Sequence, residues 1–264
     1  MSEHTGSDDV PAVSVAVMPA EHVAVVTFAN GPSNALSHEL VDRLASVLGA
    51  AAENGARAAV LRTDGRHFCA GADFSRVRRS GTAGPHISEA IPRLYAQPLP
   101  LVAAVRGAVV GGGVGLALAA DFRVAAPSSY VVANFTRLGI NPGFGLTLTL
   151  PRLLGPQRAA ALLYTGRRVD AAEALALGLF DDVVDDDAVD TVDAVALALA
   201  ASVASGSPLA LRATRRLLRS DLLKALPAVL ERERAQQEPL FATEDFREGV
   251  QAWRDKRPPR FAGA

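Results

Sequence analysis

Short apolar runs in the first half of this chain predict strands. Residues 13–18 and 23–28 alternate or run apolar, and the polar residues 19–21 between them predict a turn. Residues 58–62 and 101–105 are continuously apolar, which is typical of strands buried on both faces. Each of these two runs leads through a loop of small residues toward a helical pattern, and a further strand is predicted over 121–125.

Helix signals accompany these strands. Ser37 is a good N-cap for a helix from His38 to about Glu53. The helix after the first small-residue loop is expected to begin at Asp73 or Phe74.

The second half of the chain is mainly helical. The pattern runs from residue 145 onward and is punctuated by Gly155 and Gly166, with one short strand predicted over 180–184. From 207 to 261 leucines recur at a spacing of 3.6 residues, and the charged residues between them indicate solvated helix faces. No internal repeat or low-complexity linker divides the chain into independent domains.

A glycine-rich stretch follows the apolar run 101–105. Positions 111–115 hold four glycines in five residues, and an Ala/Leu helix pattern follows over 116–120. The first N–H groups of a helix have no internal partners and lie at the positive end of its dipole. Such a place binds an anion or polarises a carbonyl oxygen. Taken alone, the run fits close packing of a helix on a strand equally well.

A second small-residue loop, 65–73, follows the apolar run 58–62. Two such loops, each after a strand, place two backbone N–H groups on one oxygen if they meet. The pair would form an oxyanion hole built without side chains.

At these loops the sequence resembles the crotonase (enoyl-CoA hydratase/isomerase) superfamily. Residues 67–73 resemble its F-x-A-G-x-D segment, and residues 100–121 resemble its P-x-x-A-x-x-G-x-x-x-G-G-G segment. The resemblance covers nearly the whole chain from about Val13, with the motifs in family order, and continues through 138–145, 151–155 and 165–174.

Composition narrows the class of protein. Of 264 residues, 49% are apolar, enough for a sizeable core, and the net charge of −1 argues against a nucleic-acid partner. The single cysteine, Cys69, excludes an internal disulfide framework and suits a reducing cytoplasm. Because Cys69 lies at a position that the family often fills with a small residue, packing is favoured over nucleophilic catalysis.

Two segments bear on localisation. Residues 1–9 are polar and acidic, without the basic and apolar regions of a signal peptide, and are expected to be a disordered leader. The longest uncharged apolar run, 107–120, is too short and too rich in glycine for a membrane span. We therefore expect a soluble cytoplasmic protein.

The resemblance also implies a fold and an assembly. The expected fold is α/β, a crotonase spiral of repeated ββα units over 10–206, with a C-terminal helical region over 207–264 that forms trimer contacts. The expected assembly is a homotrimer or a hexamer that is a dimer of trimers. Lyase or isomerase chemistry on CoA thioesters of fatty acid metabolism is implied.

By resemblance, the N–H groups of Ala72 and Gly112 form the oxyanion hole and hold a thioester carbonyl oxygen. No metal or cofactor is expected beyond a coenzyme A thioester as substrate or ligand. The positions that match the family's CoA contacts are Ala35, Leu36, Ala70, Ala72, Trp253 and Lys256.

The last two of these lie in 248–257, which resembles the family's terminal E-G-x-x-A-F-x-x-K-R segment. There the resemblance implies that Trp253 covers the adenine and Lys256 pairs with phosphates of a CoA bound to a neighbouring subunit. Alternatively, Trp253 only anchors the last helix and Lys256 is solvated.

The family's hydratases also use two glutamates, and the matching positions here are Gly115 and Phe135. The register is supported by Asp121 before Phe135 and by the matching segments 138–139 and 142–143 after it. Neither residue can act as an acid or a base, so ordinary hydration is doubtful. A third family position, an aspartate in dehalogenases and dienoyl isomerases, falls on Gly143.

Three hypotheses remain open. In the first, the protein is an enzyme that draws its catalytic groups from elsewhere; the candidates are Asn134, Thr136, Asn141, His86 and Glu89. Each has an ordinary alternative, since Asn141 precedes Pro142 in a turn pattern and His86 and Glu89 fit a solvent-facing surface. In the second, Phe135 makes the site apolar and the protein binds an acyl-CoA with little or no turnover. In the third, the chain is a scaffolding subunit paired with an active homologue.

Overall fold

A computed structural model describes residues 12–18, 21–72 and 85–264. The leader predicted for 1–9, residues 19–20 of the predicted turn, and the helix start at Asp73 or Phe74 lie outside the described residues.

The described residues form strands in two sheets. In chain order these strands are β1 (Ala12–Met18), β2 (Val23–Ala29), β3 (Ala58–Thr63), β4 (Leu101–Val105), β5 (Ala108–Val110), β6 (Phe122–Ala125), β7 (Tyr130–Val132), β8 (Arg168–Asp170) and β9 (Asp182–Val183). The larger sheet has the order β1-β2-β3-β4-β6-β9, and the smaller has the order β5-β7-β8.

The larger sheet is parallel except at its edge, where β1 runs antiparallel to β2. Strand β4 is buried along its whole length, as its apolar sequence predicts. Because β3 and β4 are parallel neighbours, their carboxyl ends lie at the same edge of the sheet. The segments that follow these two strands, both rich in small residues, therefore start side by side.

The smaller sheet extends these segments. Strand β5 pairs in parallel with β7, and β7 pairs antiparallel with β8. Two isolated bridges, Leu36 with Ala72 and Cys69 with Val109, join the loop after β3 to the loop after β2 and to β5. The sequence pattern did not predict these strands, because three residues are too few to establish a period.

Helices pack around the sheets. They are α1 (His38–Glu53), α2 (Ile87–Ala96), α3 (Gly112–Ala119), α4 (Leu146–Leu154), α5 (Pro156–Thr165), α6 (Ala171–Leu177), α7 (Val189–Ala204), α8 (Pro208–Leu240) and α9 (Glu244–Arg254), with a short 3-10 helix at Thr136–Leu138. The predicted bounds of α1 are confirmed, since the Ser37 hydroxyl accepts a hydrogen bond from the Leu40 N–H at 3.1 Å.

The C-terminal region departs from the prediction in two ways. Helical structure ends at Arg254 rather than continuing toward residue 261. The tail instead folds back, and the Asp245 carboxylate accepts hydrogen bonds from the N–H groups of Ala262 and Gly263.

The strand predicted over 180–184 is confirmed only as the two residues of β9.

The charged residues of the C-terminal helices were expected to lie mainly on solvated faces, and α8 contains exceptions to this. Arg215 and Arg219 are buried, and both donate hydrogen bonds to the Asp121 carboxylate just after α3, at 2.8 and 2.9 Å. Arg219 also donates to the Ala119 carbonyl at 2.9 Å. This shared carboxylate fixes α8 to the end of α3, and two long arginine stems cover apolar surface on the way.

Within the described ranges, no single helix has both the length and the apolar character needed to cross a membrane. Among the described helices, only α7 and α8 counted together are long and apolar enough, and the pair is bent by 105° at the break between them.

Candidate active site

A cavity of about 200 Å³ lies where the loop after β3 meets the start of α3. The loop after β3, the glycine turn before α3, the segment after β7 and helix α9 all contribute to its wall. The residues that line it are Ala70, Gly71, Ala72, Val110, Gly111, Gly112, Asn134, Phe135, Leu138, Val250, Trp253 and Arg254.

Gly112 is the first residue of α3, and its N–H has no acceptor among the described residues. The turn before it needs glycine, because Gly111 has a φ of 56°. A Cβ on Gly112 would lie 2.6 Å from Leu36 Cδ1, so the backbone approaches the β2–α1 loop closely. The helix dipole adds partial positive charge at this free N–H.

Ala72 reaches the same cavity from the loop after β3. The Leu36 N–H donates to the Gly71 carbonyl at 3.0 Å, and the Ala70 N–H donates to the Ser33 carbonyl at 2.9 Å. These bonds hold the loop as a short strand against residues 33–36, while the Ala72 N–H has no acceptor in the described part of the chain. The structure thus brings Ala72 and Gly112, the two predicted oxyanion residues, to one cavity.

Close helix–strand packing, the alternative interpretation of the glycine run, applies at Gly113. A Cβ on Gly113 would lie 2.5 Å from the Cys69 carbonyl oxygen, so Gly113 serves close helix–strand packing. Gly112 lies one residue earlier and lines the cavity.

Asn34 joins the two loops that support Ala72. It is buried, its Oδ1 accepts from the Asn30 N–H at 2.9 Å, and its Nδ2 donates to Thr63 Oγ1 at 2.5 Å and to the His67 carbonyl at 2.8 Å. Its φ of 48° is in the left-handed region, which asparagine tolerates better than most residues. Sequence reasoning missed this role, although an asparagine between two small-residue turns is a signal for it.

We expect Asn34→Ala to lower the free energy of unfolding by about 2–3 kcal/mol, because it leaves buried partners unpaired in a left-handed backbone position. Asn34→Gly is the matched control, since it loses the same hydrogen bonds but tolerates the positive φ. It should recover about 1 kcal/mol of the loss. Urea unfolding of the three proteins measures both differences, and equal stability of Asn34→Ala and wild type would contradict the network.

Gly115, the matching position of the first family glutamate, is buried in α3 and does not line the cavity. A Cβ there would lie 2.4 Å from Cδ1 of Phe144. The Phe144 ring therefore occupies the space into which any side chain at 115 would project. The Gly115 carbonyl also accepts a hydrogen bond from the buried Tyr95 hydroxyl at 3.0 Å.

Phe144 is held in an uncommon backbone conformation. Its φ is 63°, in a region that bulky residues rarely adopt, and the adjacent Gly145 has a φ of 75°. The Glu233 carboxylate of α8 fixes this turn by accepting from the Gly145 N–H at 2.7 Å, and from the N–H and hydroxyl of Thr147 at 2.9 and 2.6 Å. Burial raises the pKa of Glu233, although its position at the start of α4 favours the charged form. Neither Phe144 nor Glu233 was predicted from the sequence to shape the site.

Phe135, the matching position of the second family glutamate, is buried and forms part of the cavity wall. Asn134 beside it also lines the cavity, and its Oδ1 is buried without a hydrogen-bond partner among the described residues. Of the five candidate acid–base or polar residues named from the sequence, Asn134 is the one that reaches the cavity.

Thr136 and Asn141 are engaged elsewhere. The Thr136 hydroxyl donates to the Leu163 and Tyr164 carbonyls at 3.3 and 3.0 Å, at the end of α5. Asn141 Nδ2 donates to the Pro142 and Glu233 carbonyls at 2.9 and 3.0 Å. The structure gives both residues a role in packing and turns.

His86 and Glu89 form a capping box at the start of α2. His86 Nδ1 accepts from the Ser88 N–H at 3.2 Å, and Glu89 Oε1 accepts from the His86 N–H at 3.1 Å. Burial lowers the pKa of His86, which favours the neutral ring that this acceptor role requires. Neither residue lines the cavity. Their spacing of three residues is the sequence pattern that could have predicted this capping box.

Cys69 behaves as a packed residue. It is fully buried, and burial raises the pKa of its thiol to about 12. Because the thiolate is the nucleophile, a thiol with this pKa is inert near neutral pH. The expectation of packing rather than nucleophilic catalysis agrees with this environment.

Helix α9 covers one side of the cavity of its own chain. Gly249 permits this contact, because a Cβ there would lie 2.6 Å from the Leu138 carbonyl carbon. Trp253 and Arg254 line the cavity, whereas Lys256 lies beyond the end of α9, is exposed and is not part of the lining. Arg254 was not predicted from the sequence, because it lies between Trp253 and Lys256, the two positions that match the family motif.

A larger groove of about 1270 Å³ lies between α9 and the folded-back tail, and it is lined mainly by charged side chains. It contains none of the residues of the two small-residue loops.

Comparison with known proteins shows what the chain is similar to. Residues 19–264 match the family model described as "Enoyl-CoA hydratase/isomerase". A "probable enoyl-CoA hydratase" of Bacillus subtilis is 36% identical over 259 residues, which are 96% of this chain and 99% of that protein. The "2,3-dehydroadipyl-CoA hydratase" of Escherichia coli is 37% identical over 238 residues, 89% of this chain and 91% of that protein. The crystal structure of an enoyl-CoA hydratase/isomerase from Pseudoalteromonas atlantica has a TM-score of 0.84 at 30% identity, covering 95% of this chain and 99% of that one.

Proposed function

The chain belongs to the enoyl-CoA hydratase/isomerase family, whose crotonase fold it shares, and on that premise we propose that it binds an acyl-CoA thioester. The thioester carbonyl oxygen lies between the N–H groups of Ala72 and Gly112 in this proposal. The observation that carries it is that both residues line one cavity and that neither N–H has an acceptor among the described residues. Two preorganised donors stabilise negative charge on that oxygen without any ionisable side chain.

We further propose that ordinary enoyl-CoA hydration is lost. The family glutamates correspond to Gly115 and Phe135, and neither can position a water or move a proton. The packing of Phe144 against Gly115 supports this reading, since it leaves no room for a side chain there. Phe135 adds apolar surface to the wall, which disfavours an ordered water.

Of the hypotheses raised by the sequence, acyl-CoA binding with little turnover is favoured by a specific observation. Among the described lining residues, the only side chains with polar groups besides the Trp253 indole are Asn134 and Arg254, and none of these residue types commonly serves as a general acid or base. An enzyme that draws its acid and base from residues outside the described cavity, and a scaffolding subunit paired with an active homologue, remain the alternatives.

The CoA moiety is proposed to leave the cavity past α9. Trp253 is half-exposed there, which suits an aromatic ring that covers an adenine, and Arg254 offers a guanidinium to phosphates.

Lys256 does not line the cavity of its own chain, so its proposed contact with CoA requires a CoA bound to a neighbouring subunit. A homotrimer or a dimer of trimers is proposed for this reason, and exposed leucines on α8 (Leu209, Leu217 and Leu218) supply apolar surface for such contacts. A monomer in light scattering would contradict the assembly.

Isothermal titration with butyryl-CoA and longer acyl-CoAs tests the binding proposal. Dissociation constants in the micromolar range are expected, and free coenzyme A should bind more weakly because it lacks the carbonyl oxygen. Absence of binding by every acyl-CoA at millimolar concentration would overturn the proposal.

A further inference from the structure

Asn134 is a buried amide that the fold leaves unpaired in the cavity wall. The residue is 3% exposed, and its Oδ1 has no hydrogen-bond partner among the described residues. Buried amides are normally paired, so an unpaired one beside a ligand cavity calls for a functional explanation.

Two glycines lie close to the backbone and the side chain of Asn134. A Cβ on Gly111 would lie 3.3 Å from Asn134 Oδ1, and a Cβ on Gly166 would lie 3.2 Å from Asn134 Cα. Both glycines have positive φ, at 56° and 54°, so both positions disfavour a larger residue. The glycines fix where Asn134 lies, while the soft χ2 torsion lets either end of the amide turn toward the cavity.

The other groups that line the cavity determine which part of a bound ligand the Asn134 amide can contact. The cavity is lined by the glycine turn and by apolar side chains such as Phe135, Leu138 and Val250, together with Trp253 and Arg254 on α9. Gly112, whose N–H is proposed to hold the thioester oxygen, follows Gly111 directly. The amide therefore lies near the thioester end of a bound acyl group rather than near the CoA end.

We propose that Asn134 is a specificity-determining residue that hydrogen-bonds a hydroxyl group carried by the acyl chain close to the thioester. The inference rests on the proposed acyl-CoA binding and deepens it. A hydroxyl both donates and accepts, so it pairs with either end of the amide. A carboxylate only accepts hydrogen bonds and so cannot pair with the buried Oδ1, and a plain alkyl chain would leave the amide unpaired. Sites built to bind a hydroxyl reject analogues that lack it because their own polar group is then left unpaired.

The test compares two acyl-CoAs that differ by one oxygen atom. Wild-type protein should bind 3-hydroxybutyryl-CoA at least about tenfold more tightly than butyryl-CoA in isothermal titration. Asn134→Leu keeps the size and branching of the side chain but removes the amide. In this variant the preference should fall to within about twofold. 2-Hydroxybutyryl-CoA, measured in parallel, reports which carbon must carry the hydroxyl.

The outcomes separate this inference from the proposal on which it rests. Equal wild-type affinities for butyryl-CoA and both hydroxylated esters, as when a water pairs with the amide in every complex, overturn the inference and leave acyl-CoA binding intact. A preference that survives in Asn134→Leu also overturns it. Failure of all three esters to bind overturns the proposed function itself.

If Asn134→Leu does not fold, a crystal structure of the wild-type complex decides instead. A ligand hydroxyl within hydrogen-bond distance of the Asn134 amide supports the inference. A hydroxyl placed elsewhere overturns it.

Discussion

The purified protein is expected to hydrate crotonyl-CoA at least about 10⁴-fold more slowly than a hydratase that carries both glutamates. Each positioned acid or base contributes roughly 10²–10⁴-fold to the rate, and both are proposed to be missing here. The decrease in enoyl absorbance at saturating substrate measures this, with a glutamate-containing hydratase assayed in the same buffer. Hydration within tenfold of that control would mean that the register is wrong or that another group supplies the protons.

Restoring the glutamates gives a sharper form of the same test. Gly115→Glu with Phe135→Glu should not recover hydration, because a Cβ at 115 meets the Phe144 ring at 2.4 Å. Adding Phe144→Gly provides space for the new side chain and keeps the positive φ, so the triple variant is the one expected to gain activity. Recovery by the double variant alone would show that the Phe144 ring moves aside easily.

Gly112→Pro is expected to lower the rate of any step that forms an enolate by about 10²–10³-fold, because it deletes one of the two N–H donors. Exchange of the α-hydrogens of bound butyryl-CoA with D₂O, followed by NMR, measures this without requiring either glutamate, because deuteroxide or a buffer base accepts the proton. Proline suits the first position of a helix, so α3 itself should persist.

Gly112→Ala is the matched control for this substitution. Both variants place a Cβ against the flexible end of Leu36, 2.6 Å away in the unrelaxed structure, but alanine keeps the N–H. The alanine variant should therefore retain most of the exchange rate and a preference for the thioester over a thioether analogue. Equal exchange in the two variants would contradict a role for the Gly112 N–H.

Several strands and helices could be predicted from the sequence because their signals are local, whereas the overall fold and the roles of Ala72 and Gly112 were expected only from the family resemblance. Ser37 before an amphipathic run marks the start of α1, and continuous apolar runs mark the buried strands β3 and β4. The glycine run marks the start of α3 at Gly112. Each of these signals lies within a few residues of the feature that it predicts.

The side chains that shape the cavity were harder to predict because their partners are distant in sequence. Phe144 between two glycines indicates a turn, and only the packed structure reveals that its ring fills the space beside Gly115. Glu233 has the spacing of a solvated helix residue, yet it caps the turn 88 positions earlier, at Gly145. Periodicity identifies which face of α8 is apolar, but it carries no information on which charged residue another element will bury.

The Phe144 ring also limits how this protein can change over successive generations. A carboxylate introduced first at position 115 would collide with the ring and destabilise the fold before it conferred any benefit. Removing the ring first would leave a void in a buried layer, at a typical cost of about 3–5 kcal/mol for a Phe→Ala change. Each order of single substitutions therefore passes through a destabilised intermediate, which disfavours the return of a glutamate at position 115.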